Sequence, residues 1–301
     1  MQLKKTLRHP IQSGKRFLTR LVFKFFGMKC IPDSLALKIL YKYRMHKKLN
    51  FKNPQTFNEK LNWMKLHYRK PEFTDMVNKA KAKNIAASKI GDKHTIKTLA
   101  LYDKWEDIDF ETLPNSFVLK TTHSSGVVFV VRDKSTYDFK IAKKKIKRSL
   151  RRNYFYQSRE WPYKNCERKI IVEEYMADAK EKNLPVYKFF CFSGKPFIVQ
   201  TIKNDKTSYE TIDYFDMNWT RLELKQNFEN SENPLEKPVN FEEMKEIAAT
   251  LSEGFPFIRV DLYSINGVVY FSEYTFFSDT GFAKFTPDKW DLILGEKIIL
   301  N

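Results

Sequence analysis

Residues 257–275 form the stretch FIRVDLYSINGVVYFSEYT, in which two apolar runs flank the pair Asn266-Gly267. An Asn-Gly pair between such runs is the strongest short-range signal for a β-hairpin. Three charged residues, Arg259, Asp261 and Glu273, interrupt the apolar pattern. Because burying a carboxylate is costly unless it pairs with a cation, we expect a functional site on this hairpin.

The turn type decides whether the two acids share a face of the hairpin. A two-residue loop sets Asp261 opposite Ser272 and leaves Glu273 on the other face. A type I turn with Gly267 as a G1 bulge shifts the register by one residue, and the two-residue period then gathers four side chains on one face. These four are Arg259, Asp261, Glu273 and Thr275. They would form a Mg²⁺ site for nucleotide phosphates, whereas the alternative is a plain ion pair between Arg259 and Glu273.

The composition is that of a strongly basic chain that can form a core. Its 301 residues include 54 Lys and Arg against 36 Asp and Glu, and 42% are hydrophobic. That content is too apolar for a disordered chain, and no run reaches the roughly 18 apolar residues of a spanning helix. Three dispersed cysteines without a Cys-x-x-Cys pair indicate neither a disulfide framework nor a zinc site, so we expect a cytoplasmic protein. The net charge of +18 predicts an anionic partner.

Helix and strand patterns alternate along the chain and predict an α+β fold. The first fifty residues are basic and amphipathic, which suits either helices packed on the protein's own core or helices on a membrane surface. A single helix is predicted over 74–90. We predict four segments: basic N-terminal helices (1–50), an α-rich subdomain (51–114), a central subdomain with a phosphate-binding loop (115–185) and a C-terminal subdomain with the hairpin (186–301).

Two lysines lie on otherwise apolar strands. Lys120 ends the strand 117–120 and precedes a loop of small polar residues, a pattern typical of a phosphate cradle but also of an edge-strand lysine at a turn. Lys188 is the one cation of the aromatic strand 187–192, where a snorkelling edge residue is the alternative. The basic run 143–152 is interpreted as a solvated helix face, and no nucleic-acid partner is predicted.

Five segments, taken in order, resemble the TupA-like (teichuronopeptide biosynthesis) family of the ATP-grasp superfamily. The likeness spans roughly residues 50–295 and rests on NPQTFNEKLNW (53–63), FVLK with HSSG (117–120, 123–126), REWPYK (159–164), YKFF (187–190), and FPFIRVD with EYT (255–261, 273–275). The resemblance implies an ATP-grasp fold, in which two α+β subdomains grip a nucleotide.

The resemblance also implies roles for single residues. Arg259 is implied to be the catalytic arginine that stabilises a reacting acyl phosphate, with Asp261 and Glu273 as Mg²⁺ ligands. Lys79 and Lys120 are implied to reach the phosphates of ATP. The other nucleotide contacts are implied to be the loop residues Ser124, Ser125 and Gly126, the adenine hinge Glu173, Glu174, Tyr175 and Met176, and Lys188 near the phosphates.

The implied activity is an ATP- and Mg²⁺-dependent carboxylate–amine ligase. It would join an amine or amino acid to the carboxylate of an anionic saccharide in the assembly of a capsule or another bacterial surface polysaccharide, with peripheral membrane contact through residues 1–30 as an open option. One alternative is a glycosyltransferase of the same pathway, with a metal motif at Asp107-Ile108-Asp109. The other is a non-catalytic basic protein that binds membrane or nucleic acid.

Overall fold

The computed structural model describes residues 30–179, 184–204 and 209–300. The N-terminal amphipathic pattern up to residue 29 lies outside these ranges, and so does the membrane contact predicted for it. Within the described ranges, no helix combines the length and the apolar character that crossing a membrane requires.

Helices of the described residues pack around antiparallel sheets. The helix Phe57–His67 begins at a capping box, in which Thr56 Oγ1 accepts from the amide of Glu59 and Glu59 Oε2 accepts from the amide of Thr56. The α-helices are α1 (Asp33–Met45), α2 (Phe57–His67), α3 (Phe73–Val77), α4 (Lys79–Ile90), α5 (Phe139–Leu150), α6 (Phe155–Ser158), α7 (Phe241–Ser252) and α8 (Lys289–Glu296).

Two antiparallel sheets contain most of the strands. The strands are β1 (Thr98–Tyr102), β2 (Phe117–Thr121), β3 (Val128–Val131), β4 (Ile170–Glu174), β5 (Val186–Phe192), β6 (Lys195–Lys203), β7 (Thr211–Asp216), β8 (Lys225–Gln226), β9 (Ile258–Ile265), β10 (Val268–Thr275) and β11 (Phe285–Thr286). The smaller sheet has the order β1-β4-β2-β3, the larger has the order β10-β9-β5-β6-β7, and the short strands β8 and β11 form a separate pair.

The segment predicted as an α-rich subdomain, 51–114, contributes a strand to the smaller sheet and helices that pack with the larger sheet. Its strand β1 pairs with β4 in the smaller sheet. Its helices α2 to α4 share one hydrophobic core with the larger sheet and helix α7. A second core lies under helix α5 on the smaller sheet. The division into four segments therefore stays a prediction, while the α+β class is confirmed.

The helix predicted over 74–90 is wrong, because the chain forms two helices there. Asn78 has an extended backbone with φ −78° and ψ 115°, so α3 ends before it and α4 begins after it. Its side-chain oxygen accepts from the amides of Ala80 and Lys81, which satisfies the first turn of α4. Lys79 is therefore the first residue of a helix, and its amide donates to the carbonyl of Thr122, at 3.0 Å.

The β9–β10 hairpin has a two-residue loop, so the predicted G1 bulge at Gly267 is wrong. Ile265 pairs with Val268, and Asn266 and Gly267 both have positive φ angles, 50° and 80°. Positive φ at both central residues is the geometry of a type I′ turn, whose twist matches that of the flanking strands. The Asn-Gly pair thus closes the hairpin without an extra residue.

The extra residue lies farther along the hairpin, in β10. The register shifts between Phe271 and Glu273, so Ser272 is the bulged residue. After the shift, Glu273 pairs with Asp261 and Thr275 pairs with Arg259. Because residues that face each other across two strands project to the same side, the predicted common face of Arg259, Asp261, Glu273 and Thr275 is present, although the bulge that produces it is elsewhere.

Candidate active site

A cavity of about 280 Å³ lies where the loop after β2 meets the larger sheet. Its walls come from the start of α4, from the loop between β2 and β3, and from strands β5, β6, β9 and β10. Its size is near the lower end of the roughly 300–1,000 Å³ of small-molecule sites. Of the predicted site residues, Lys79, Lys120, Ser125, Gly126, Lys188, Arg259, Asp261 and Glu273 line this cavity.

Arg259 and Asp261 form a buried, two-pronged ion pair on β9. Arg259 Nε donates to Asp261 Oδ1 at 2.7 Å, and Nη2 donates to Oδ2 at 2.8 Å. Nη2 also donates to Thr275 Oγ1 at 3.0 Å, and Lys188 Nζ lies 3.7 Å from Asp261 Oδ2. Charge-assisted pairs of this geometry are strong and fix the guanidinium plane. The arginine is thus paired with Asp261 and not with Glu273, the partner that the plain ion-pair alternative predicted.

Lys188 lies in the middle of the larger sheet. Its strand β5 is flanked by β9 and β6, so Lys188 is opposite both Asp261 and Gln200. The edge-strand alternative is therefore wrong for this residue, and its ammonium group is held at the cavity.

Glu273 pairs with Lys79 at the cavity wall. Lys79 Nζ lies 3.2 Å from Glu273 Oε2. Burial by itself raises the pKa of Glu273, but the charges of Lys79, Lys188 and Arg259 outweigh burial and lower this pKa to about 2. The carboxylate is therefore ionised at neutral pH and available to a cation.

Lys120 belongs to a buried triad of charged side chains that links the smaller sheet to helix α4. Its Nζ and the Nζ of Lys83 each pair with one carboxylate oxygen of Glu173, which is 2% exposed. Burial raises the pKa of Glu173, but the charges of Lys120 and Lys83 outweigh it and lower the pKa to about 2. The same carboxylate raises the pKa of Lys120 against the effect of burial, so its ammonium stays charged where it reaches the cavity. Strand β2 is internal to the sheet, so the edge-strand alternative is wrong here too.

The loop after β2 is fixed at its base and open at its tip. Ser124 Oγ lies 2.6 Å from Thr121 Oγ1 and 3.1 Å from Ser149 Oγ on helix α5, and its carbonyl accepts from Lys79 Nζ at 3.0 Å. Ser125 and Gly126 then enter the cavity wall, and Gly126 has φ +79°, a conformation that favours glycine. The side chain of Ser124 thus secures the loop, while Ser125 and Gly126 face the space that a phosphate would fill.

Five predicted nucleotide contacts do not line the cavity: Ser124, Glu173, Glu174, Tyr175 and Met176. Glu173 is used in the triad with the two lysines, Glu174 is exposed, and Tyr175 and Met176 are partly exposed. Their role around adenine stays a prediction.

The sequence analysis did not predict several residues that line the cavity. Asp279 and Tyr263 line the cavity, and so do Gln200 and Gln226. The two glutamines are joined through a buried tyrosine: Gln200 Nε2 donates to Tyr214 Oη, and Tyr214 Oη donates to Gln226 Oε1, both at 2.6 Å. A glutamine inside the apolar strand β6 was a readable signal, since it breaks the apolar pattern as Lys188 does. Lys83, which pairs with Glu173 and does not line the cavity, gave no comparable signal in the sequence of helix α4.

The two facing carboxylates fit a Mg²⁺ ion. Mg²⁺ in nucleotide sites binds one or two protein carboxylates and completes its octahedral shell with waters and phosphate oxygens. Asp261 and Glu273 are directly opposite on adjacent strands and both line the cavity. Within the described ranges, no group of three or more His, Cys, Asp or Glu side chains is arranged to hold a metal ion. Asp261 and Glu273 are therefore the residues that would hold a metal ion at this cavity, with a nucleotide as the source of further oxygens.

A family model for TupA-like ATP-grasp proteins matches residues 59–299, most of the chain. The chain belongs to the TupA-like ATP-grasp family. The predicted family and fold are thereby confirmed. No curated protein sequence matches the chain.

Solved structures of two kinds of ligase are similar to the chain at low identity. D-alanine–D-alanine ligase from Bacillus anthracis, complexed with ATP, is 16% identical with a TM-score of 0.39 over 66% of this chain and 54% of that one. The Helicobacter pylori D-alanine–D-alanine ligase is 16% identical with a TM-score of 0.40, over 82% and 70%. The ATP-grasp ligase PsnB, complexed with Mg and ADP, is 10% identical with a TM-score of 0.41, over 97% and 75%. This chain thus spans about half the length of the first of these proteins.

Proposed function

We propose that the chain is an ATP- and Mg²⁺-dependent carbon–nitrogen ligase that activates a carboxylate as an acyl phosphate and joins it to an amine. The observation that carries the proposal is the charge arrangement of the cavity. Three lysines and one arginine surround two facing carboxylates, Asp261 and Glu273. The carboxylate pair provides ligands for a metal ion, and the cations offset the negative charge of a triphosphate.

The first step transfers the γ-phosphoryl group of ATP to a substrate carboxylate. A carboxylate oxygen forms the new P–O bond, the bond between the γ-phosphorus and the bridging oxygen breaks, and ADP leaves with that electron pair. Lys79, Lys120 and Lys188 reach the cavity and offset the charge of the phosphates. Arg259, held rigid by Asp261 and Thr275, would stabilise the charge on the acyl phosphate.

In the second step a neutral amine attacks the acyl carbon. The C–N bond forms, the C–O bond to phosphorus breaks, and inorganic phosphate leaves with that electron pair and takes the proton lost by nitrogen. No covalent enzyme intermediate is required. Asp261 and Glu273 would hold Mg²⁺, which when bound supplies positive charge next to the transferring phosphoryl group. Ser125 and the amide of Gly126 would cover the phosphates.

We propose an anionic saccharide, a surface polysaccharide or its precursor, as the carboxylate substrate. Helix α5 and the residues after it carry an exposed basic face next to the phosphate loop: Lys140, Lys143, Lys144, Lys145, Arg148, Arg151 and Arg152 are exposed. Only Lys143 and Lys147 of this helix approach a described carboxylate, that of Glu106. Ser149, on the buried face of the same helix, contacts Ser124, so the helix that carries the basic face packs beside the phosphate loop. A supply of ATP implies the cytoplasm, and membrane contact through residues 1–30 belongs to the same proposal.

Substrate-dependent release of ADP tests this function. The full chain, Mg-ATP, a panel of uronic acids and their oligomers, and a panel of amino acids and simple amines are combined, and ADP and the amide product are measured. We expect ADP only when both a carboxylate and an amine are present. If no combination yields ADP or amide, and Mg-ATP does not raise the melting temperature, the ligase proposal is wrong.

The same assay separates the two alternatives. A glycosyltransferase would be stabilised by Mg²⁺ with a sugar nucleotide in preference to Mg-ATP. The motif that predicted it, Asp107-Ile108-Asp109, lies at the end of a short 3₁₀ turn and does not line the cavity. A non-catalytic basic binding protein would keep its function after Glu273→Gln, and its binding would weaken steeply with salt.

A further inference from the structure

A chain of three polar side chains at the cavity wall has no part in the mechanism above. Gln200 on β6, Tyr214 on β7 and Gln226 on β8 are almost fully buried, with exposed fractions of 5%, 0% and 2%. The Tyr214 hydroxyl lies 2.6 Å from the amide of each glutamine. Both glutamines line the cavity and Tyr214 does not, so one buried hydroxyl holds two side chains of the cavity wall.

The single proton of the phenol decides what the two amides present to the cavity. Gln200 Nε2 donates to Tyr214 Oη, and Tyr214 Oη donates to Gln226 Oε1. Gln200 Oε1 and Gln226 Nε2 remain, and neither forms a hydrogen bond to another of the described residues. If both amides were turned over, the proton would run the other way and the two roles would be exchanged. In either orientation, one glutamine offers an acceptor and the other offers donors.

Gln200 belongs to a row of paired side chains that crosses the larger sheet. Glu273 pairs with Asp261, Asp261 pairs with Lys188, and Lys188 pairs with Gln200. Paired residues project to the same side of a sheet, so the two carboxylates, the lysine and the glutamine face one cavity. At about 4.8 Å between neighbouring strands, Gln200 is about 5 Å from Lys188 and about 10 Å from Asp261. A group bound by the glutamines would thus lie near the reacting atoms without touching the metal-ligand pair.

The parts of ATP have better partners elsewhere along the cavity. Phosphate oxygens only accept hydrogen bonds, so the three lysines of the cavity suit them and a free amide oxygen does not. The adjacent row on the same face is apolar, because Tyr263 pairs with Val186, Val186 with Ile202 and Ile202 with Ile212, and all four line the cavity. A nucleotide base packs well on apolar side chains of this kind. The glutamine pair is therefore available to the second substrate.

Phe228 supplies an apolar surface close to Gln226. It lines the cavity, yet 42% of it is exposed. Its amide donates to the Gln226 carbonyl at 2.7 Å across Asn227, which has φ 63°, so a tight turn keeps the two residues together. An aromatic ring left open beside polar groups suits a ligand that has an apolar face as well as hydroxyl groups. A sugar ring has both, since its C–H bonds form an apolar face and its edge carries hydroxyls.

We propose that Gln200 and Gln226 bind ring hydroxyls of the carboxylate substrate, and that this substrate is a uronic acid whose carboxylate lies toward Lys188 and whose ring packs on Phe228. A hydroxyl group both donates and accepts, so it satisfies a wall that offers one acceptor and two donors. A uronic acid carries its carboxylate on the carbon next to the ring, and one ring spans the spacing of about 5 Å between adjacent strands. The proposal rests on the ligase function above and specifies its carboxylate substrate.

Binding of uronic acids to the full chain with Mg-ADP tests the subsite. D-Glucuronate, D-galacturonate and D-mannuronate are titrated by calorimetry. Each is compared with tetrahydropyran-2-carboxylate, which keeps the ring and the carboxylate but has no hydroxyl group. We expect at least one uronate to bind, and the acid without hydroxyls to bind about tenfold more weakly or worse, because two buried amides are then left without partners.

Tyr214→Phe tests the positioning role of the buried hydroxyl at almost unchanged side-chain volume. It removes the group that orients both amides, so the Kd and KM for the uronate should rise about fivefold to tenfold, with kcat and the Kd for Mg-ADP little changed. Tyr274→Phe is the matched control, because Tyr274 is also buried in the larger sheet and its hydroxyl has no hydrogen-bond partner among the described residues. Gln226→Leu, whose melting temperature is measured first, should weaken uronate binding without changing the Kd for Mg-ADP.

The outcomes separate the subsite from the ligase function. If no uronate binds, if tetrahydropyran-2-carboxylate binds as tightly, or if Tyr214→Phe behaves like Tyr274→Phe, the subsite is wrong. A raised Kd for Mg-ADP in Tyr214→Phe, with uronate binding unchanged, would assign the glutamines to the nucleotide and overturn the subsite as well. If uronates bind through this pair but no amine yields ADP, the ligase function fails and the subsite stands. ADP release with carboxylates that lack hydroxyls, unaffected by Tyr214→Phe, would leave the ligase standing and overturn the subsite.

Discussion

Glu273 lies directly opposite Asp261 on two adjacent antiparallel strands, and the bulged residue Ser272 is what brings them together. In an unbroken ladder continued from the two-residue turn, Ser272 would face Asp261 and Glu273 would project to the other side of the sheet. One unpaired residue thus converts two separated acids into a pair at one cavity.

We expect Glu273→Gln to reduce substrate-dependent ADP release by about a hundredfold or more, since it removes one of two carboxylates placed for Mg²⁺. The fold should be retained, because the side chain is one-third exposed. Calorimetric titration of Mg²⁺ in the presence of ADP should show weakened metal binding. Glu253→Gln, an exposed carboxylate outside the cavity, is the control. Full activity in Glu273→Gln would show that the pair does not hold the metal.

Asp261→Asn should lose activity and also stability. Arg259 would keep a buried guanidinium with a neutral partner, and breaking such a pair costs about 3 kcal/mol. Chemical denaturation should therefore separate the two variants: Asp261→Asn lowers the free energy of unfolding more than Glu273→Gln, whose side chain is one-third exposed and loses a single ion pair with Lys79. Equal stability of both would contradict the two-pronged pair.

Glu173→Gln should destabilise the protein by about 3–5 kcal/mol, because Lys83 and Lys120 would be left in a buried site without a counter-charge. The adjacent Glu174 is exposed, so Glu174→Gln is the matched control and should leave the free energy of unfolding unchanged. Urea denaturation measures both. A small effect of Glu173→Gln would mean that the triad does not hold strand β4 to helix α4.

The contribution of Glu173 to the free energy of unfolding should be lost in acid. Its pKa in the folded protein is about 2 and its ordinary value is 4.5, so between these values the unfolded chain binds more protons. The stabilisation is fully present above pH 4.5 and falls as the pH approaches 2. The difference in stability between the unmodified protein and Glu173→Gln should therefore shrink across that window.

Lys65 should make the protein more stable as the pH rises from 7 toward 10. Burial lowers the pKa of Lys65 from 10.5 to about 7, and the charges of Glu160 and Arg44 act on it in opposite directions. In this window the unfolded chain binds the proton and the folded protein does not, so raising the pH favours folding. Relative to Lys65→Met, the melting temperature should rise across the window. The control Lys89→Met, on an exposed site, should follow the unmodified protein.

Gly126→Ala should raise the KM for ATP about fivefold, since a side chain at φ +79° costs about 1 kcal/mol in the loop that faces the phosphates. No atom lies within 4 Å of the position that a Cβ would take, so a clash does not contribute. Gly126→Asn should be milder, because asparagine tolerates left-handed backbone. An alanine variant with unchanged KM would show that the loop adopts another conformation when ATP binds.

The sequence alone determined the features that depend on neighbouring residues. The turn at Asn266-Gly267 follows from the positive φ angles that this pair tolerates, and the charged residues on apolar strands marked the cavity wall. The order of five segments identified the family, which the match over 59–299 confirmed.

Only the tertiary structure decided how residues far apart in the chain meet. The position of the bulge at Ser272 depends on the pairing of whole strands, and the Lys83–Glu173–Lys120 triad depends on the docking of α4 against the smaller sheet. Local propensities act over a few residues, whereas these contacts are set by packing energies that no short stretch of sequence contains.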